Sequence, residues 1–171
     1  ICCVMACVFF FPLNSFSATY YVRTDGGTAS QCTGLADAAY PGSGVNQPCA
    51  WAHPFWALTS GDPPAWRIQS GDSLLISDGE YMIGYGAPNS DWCYAAGAYD
   101  CVLPPLPAGV DANSRTVLAG KNWQAGCSAK PKLWGTERVW QVVSLDQSSH
   151  ATVACLEITD HSSCVAHHGE S

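Results

Sequence analysis

The residues best suited to chemistry lie near the C-terminal end, where Glu157 precedes Asp160 and His161 in the run LEITDHSSC. A carboxylate beside an imidazole can exchange a proton near neutral pH, which is the basis of general acid–base work. The plainer reading of the same residues is a polar strand end. His161 with the adjacent pair His167–His168 supplies imidazoles, but neighbouring histidines at a ragged end more often face solvent, so no metal set is assigned. Asp78 and Glu80 stand two apart and would share a strand face. They would either bind a cation or line a solvated turn. Lys121 could act as a base only if buried. Trp92, Tyr94 and Tyr99 could stack on sugar rings, or they could pack their loop onto the core. No GxSxG, Walker or HExxH pattern occurs, and Ser128 has no triad context. No catalytic residue is therefore assigned.

The elements that must position these groups are short. Apolar residues make up 47% of the 171, enough for a sizeable core in one domain, while charged residues are only 12%. With 16 Gly and 11 Pro, the composition predicts many strands and turns rather than long amphipathic helices. The net charge is −7 and the few Lys and Arg are scattered, which argues against a nucleic-acid partner.

Residues 1–11, ICCVMACVFFF, form an unbroken apolar run of signal-peptide length, too short to span a bilayer. Ser15 and Ser17 suit cleavage before Ala18, and cleavage after Ala18 is the alternative. The expectation is a signal peptide over 1–17, truncated at its start, a domain from 18 to 171, export to a periplasmic or extracellular compartment, and no membrane span in the mature chain. Seven cysteines follow the signal and none forms a CxxC pair, so disulfides are expected rather than zinc. Local pairing would join Cys32 to Cys49, Cys93 to Cys101 and Cys155 to Cys164. Cys127 is then left over, as a free thiol or with a partner beyond residue 171.

In GDSLLISDGEYMIG, residues 71–84, a Gly–Asp turn opens an apolar run and an Asp–Gly turn closes it. Tyr20–Val22 reads as another strand. The run CAWAHPFWAL begins a short helix with Pro54 in its first turn. Residues 85–113 carry four prolines and no periodicity, so they read as a long insertion pinned by Cys93 and Cys101. Further strands are expected near 116–118, 141–145 and 151–159. In the last, Ala154, Leu156 and Ile158 are assigned to the core face.

The series YYVRTDGG, CAWAHPFWAL and GDSLLISDGEYMIG resembles the N-terminal region of exported right-handed parallel β-helix proteins, the pectate-lyase-like group. HATVACLEITDHS is similar to a later coil of that fold, so the resemblance spans residues 19 to about 165. It implies an all-β, right-handed parallel β-helix with Trp51–Leu58 capping the first coil, 85–113 as an excursion, and further coils beyond residue 171. It further implies a polysaccharide or glycan partner, a lyase or hydrolase activity or a non-catalytic surface module, and Ca²⁺ as a possible cofactor. No catalytic motif of the group is matched in this sequence.

Overall fold

The computed structural model describes residues 17–95, 101–135, 139 and 141–160. Strands dominate: β1 (Thr19–Gly27), β2 (Ser73–Ile76), β3 (Glu80–Ile83), β4 (Thr116–Gly120), β5 (Lys132–Gly135), β6 (Ala151–Ala154) and β7 (Glu157–Asp160). Helical structure among the described residues is limited to one turn of α-helix, α1 (Trp92–Ala95), and two 3₁₀ turns, Pro54–Ala57 and Trp123–Ala125.

All pairing between strands is parallel. One sheet has the order β1-β2-β4-β6 and the other β3-β5-β7. From β2 onward, each pass of the chain adds one strand to the first sheet, turns a corner, and adds one to the second. Parallel neighbours need long return paths, and residues 84–115 and 136–150 supply them, with no long helix among the described residues. The register stacks like on like: Tyr20, Leu74, Leu118 and Val153 align across the first sheet. Tyr81, Leu133 and Ile158 align across the second. Leu74, Leu118 and Leu133 have no solvent exposure.

The expected turn–strand–turn at residues 71–84 is present, with β2 and β3 on either side of Asp78–Gly79. Gly71 holds φ 84° and Gly79 φ 147°, backbone conformations that favour glycine. Asp72 is buried, and its carboxylate accepts from Ala18 N and Gln69 N, both at 2.7 Å. That pins the start of β1 to the turn into β2.

Pro54 sits in the first turn of the 3₁₀ segment, where its missing N–H costs nothing. Trp51 lies flat on Tyr20, ring centroids 5.2 Å apart, and donates through Nε1 to Cys32 O at 3.0 Å. Phe55, Ala57 and Leu58 are fully buried. Residues 50–51 run close against Gly26, where a Cβ would lie 2.7 Å from Trp51 O. His53 caps the turn. Its Nδ1 accepts from Phe55 N at 3.1 Å, so Nε2 carries the proton and donates to Met82 O at 2.8 Å.

Burial pushes the His53 pKa down to about 4 from 6.5, against the opposing effect of the Met82 hydrogen bond. Between those values the unfolded chain binds a proton that the native state does not. This contribution is whole above about pH 6.5 and is lost as pH falls through the native pKa, a decrease of about 3 kcal/mol. Urea unfolding of the protein and of His53→Gln, followed from neutral pH to about pH 4, should show the steeper acid limb in the unsubstituted protein. Parallel limbs would show that His53 is not held neutral.

Three expectations need correction. The described part of residues 85–113 packs into the body instead of standing away from it, with the expected Cys93–Cys101 bond in place. Ala87, Trp92, Cys93, Cys101, Leu103 and Leu106 are all buried in the core, and Leu103 pairs in parallel with Val143. Proline-rich sequence hides this burial because it lacks periodicity. The strand expected at 141–145 is reduced to that single bridge. The strand expected at 151–159 is two strands broken at Cys155, which adopts φ 54°. The break resets the alternation, so Val153 aligns with Leu118 and packs on the core, and Ile158 aligns with Leu133.

Three disulfides are present among the described residues. Cys32–Cys49 and Cys93–Cys101 join near neighbours in sequence, as local pairing predicts. Cys155 is bonded to Cys127 and not to Cys164. The reason is the parallel pairing: β6 lies directly on β4, so the corner after β6 meets the loop that follows β4. Cys164 lies outside the described residues.

Candidate functional site

After β2 and after β4 the chain leaves the first sheet through a polar corner, whereas the corner after β6 is Cys155–Leu156. Ser77–Asp78 follows β2 and Lys121–Asn122 follows β4, while Arg23–Thr24–Asp25 lies along β1 beside them. Together with Ala129 these residues line a polar groove of about 330 Å³. Turn-formers after short apolar strands are readable in the sequence as RTDG, SDG and GKN. Nothing local shows that they converge.

An ion network frames the groove. Arg23 grips Asp25 with both arms of its guanidinium, at 2.7 and 2.9 Å, and reaches Asp37 at 3.2 Å. Lys121 is paired to the other oxygen of Asp37. Burial opposes ionisation of Asp37, but hydrogen bonds from Lys121 and Arg23 hold its carboxyl below the usual range. The Arg23 hydrogen bond likewise depresses Asp25, and its bonds to Asp25 and Asp37 raise the already high pKa of Arg23 itself. Both cations are thus committed to carboxylates. The side chains of Thr24 and Asn122 make no hydrogen bond among the described residues, and Asp78 accepts one only from its neighbour Gly79 N at 3.2 Å. Ser77, in the groove wall, has the one buried side-chain oxygen without a partner among the described residues.

The structure separates the residues singled out by sequence. Asp78 lines the groove, whereas Glu80 lies on β3 in a cross-strand ladder with Lys132 and Glu157. Lys132 Nζ is 2.9 Å from Glu80 and 4.0 Å from Glu157. The Glu80 hydrogen bond raises the Lys132 pKa. Glu157 therefore belongs to a solvated ion ladder. Lys121 is exposed and paired, not buried as a base would need. Trp92 is only 6% exposed; its ring packs on Phe55 at 5.6 Å and its Nε1 donates to Asn89 O. It is a core residue that also lines an apolar hollow beside Pro63, Pro64, Pro104 and Pro105. Asp160 ends β7, and Tyr94 lies in α1. Tyr99, His161, His167 and His168 lie outside the described residues.

A second concave region lies where Pro63–Pro64 meets Pro104–Pro105. Trp66 donates through Nε1 to Pro104 O and Pro105 O, at 3.2 and 2.9 Å. Cavities of about 520 and 350 Å³ flank this contact, both largely apolar. Among the described residues no three His, Cys, Asp or Glu side chains converge to hold a metal ion. No described helix is long and apolar enough to cross a membrane.

Comparison with protein-family models, with curated proteins and with solved structures finds no match to this chain. Three disulfides fit an oxidising compartment.

Proposed function

We propose that this chain is the N-terminal part of an exported right-handed parallel β-helix protein that acts on polysaccharide. The observation that carries the reading is the polar groove laid across the ends of successive parallel strands. Stacking of neighbouring passes places the polar corners after β2 and β4 side by side, a surface suited to a sugar chain. The signal-like run at residues 1–17 and the disulfides support export.

A binding role without catalysis is the second reading, and the ion network favours it for these coils. Arg23 and Lys121, the cations at the groove, are both neutralised by carboxylates. A lyase using an Arg or Lys base would then need residues outside those described.

The deciding experiment expresses the chain in an oxidising periplasm and screens it against a polysaccharide panel, with and without Ca²⁺. Unsaturated products and reducing ends are followed together. Unsaturated ends mark a lyase, reducing ends alone a hydrolase, and retention without cleavage the binding module. No cleavage and no retention would overturn the carbohydrate reading.

A further inference from the structure

We infer that the groove between β1 and the ends of β2 and β4 binds a neutral sugar unit through adjacent hydroxyls, with Asp78 and Asn122 as the contacting groups. This rests on the carbohydrate reading above and narrows it to a ligand class and a place.

The first argument is charge. Three carboxylates, Asp25, Asp37 and Asp78, meet two cations at this groove, and the whole chain carries −7. Arg23 is bidentate to Asp25 and shared with Asp37, and Lys121 is held by Asp37. An acidic sugar would have to break one of these pairs to gain a counter-charge, and would meet the Asp78 carboxylate while doing so. A neutral sugar meets neither obstacle.

The second argument is hydrogen-bonding capacity. Asp78 offers two acceptor oxygens that bind nothing but the adjacent Gly79 N–H. Asn122 offers one acceptor and two donors, with no side-chain cap bond to the turn that follows it. Each sugar hydroxyl is one donor and two acceptors, so a planar carboxylate and a planar amide suit a pair of neighbouring hydroxyls. The Thr24 hydroxyl adds a further group, and the Ala129 methyl gives the ring an apolar wall. The volume of about 330 Å³ lies at the small end of the range for small-ligand sites, about 300–1,000 Å³.

The third argument is rigidity. Asp78 and Asn122 sit immediately after β2 and β4, which are paired in register from Ser73–Val117 to Ile76–Gly120. Lys121 N donates to Ile76 O at 2.7 Å, fixing one corner against the other. The two side chains are therefore carried on adjacent, hydrogen-bonded backbone, which lowers the ordering cost of binding.

The test is calorimetric titration of the full chain with neutral hexamers of glucose, mannose and galactose, and with oligogalacturonate of equal length. Asp78→Ala, Asp78→Asn and Asn122→Ala are compared with Glu80→Gln, which lies on the other sheet. Asp78 and Asn122 are exposed, and unchanged thermal midpoints confirm folding. At least one neutral hexamer should bind at least tenfold tighter than oligogalacturonate. Asp78→Ala should weaken it about tenfold, as loss of a charged hydrogen-bond acceptor does. Asp78→Asn and Asn122→Ala should weaken it less, and Glu80→Gln should leave it unchanged. Tighter binding of oligogalacturonate would overturn the neutral-sugar inference while leaving the carbohydrate reading intact. Neutral binding unaltered by the Asp78 and Asn122 variants would overturn the site. Binding of neither class would overturn both.

Discussion

Replacing Leu118 by alanine should lower unfolding stability by about 3–5 kcal/mol, the upper part of the range for leucine truncation in a core that cannot collapse. Leu118 has no solvent exposure and lies in register between Leu74 of β2 and Val153 of β6. Parallel pairing fixes its backbone on both sides, so neighbouring strands cannot close over the vacated space without losing ladder hydrogen bonds. Ile158→Ala is the matched control. Ile158 occupies the corresponding place in the second sheet, above Leu133, but is 50% exposed. Its truncation should cost under about 1 kcal/mol. Urea unfolding of the two variants tests the stacked core directly. Equal losses at the two positions would show that Leu118 is not enclosed by successive strands.

Removing the Cys32–Cys49 bond with a double alanine replacement should cost about 3–5 kcal/mol and lower the thermal midpoint by about 10 °C. Constraining a separation of 17 residues accounts for about 3 kcal/mol in the chain-entropy account. Packing adds the rest, because Cys32 and Cys49 are 0% and 1% exposed and belong to the core beside Trp51. The Cys127–Cys155 bond spans 28 residues, which raises the entropic contribution by only about half a kcal/mol. Both of its cysteines are partly exposed, so packing loss is smaller there. The Cys32–Cys49 variant should therefore be at least as destabilised as the Cys127–Cys155 variant, against the order that loop length alone gives. Peptide mapping of the oxidised protein should recover Cys127 linked to Cys155. A Cys155–Cys164 peptide in its place would contradict the stacking of β6 on β4.

Much of the local structure was legible because it is encoded by neighbours. Gly71–Asp72 and Asp78–Gly79 bracket β2 since glycine alone holds those positive φ angles cheaply and aspartate ties the turn backbone. Pro54 announces the first turn of the 3₁₀ segment, and the Cys32–Cys49 pair follows from closeness along the chain. The strand-rich character, the scarcity of helix and the presence of disulfides are likewise written in composition and cysteine use.

What the tertiary structure alone decided depends on residues separated by a whole pass of the chain. Leu74 and Leu118 are 44 positions apart by their numbering yet adjacent in the sheet, and no local periodicity carries that distance. The same stacking selects Cys127 for Cys155, turns Trp92 into the core, and divides residues 151–160 at the left-handed Cys155. It also gathers Arg23, Asp78 and Asn122 into one groove, although Asp78 reads in sequence as part of a solvated turn. Turn chemistry is a property of a few consecutive residues, whereas a binding surface on parallel strands is a property of their register.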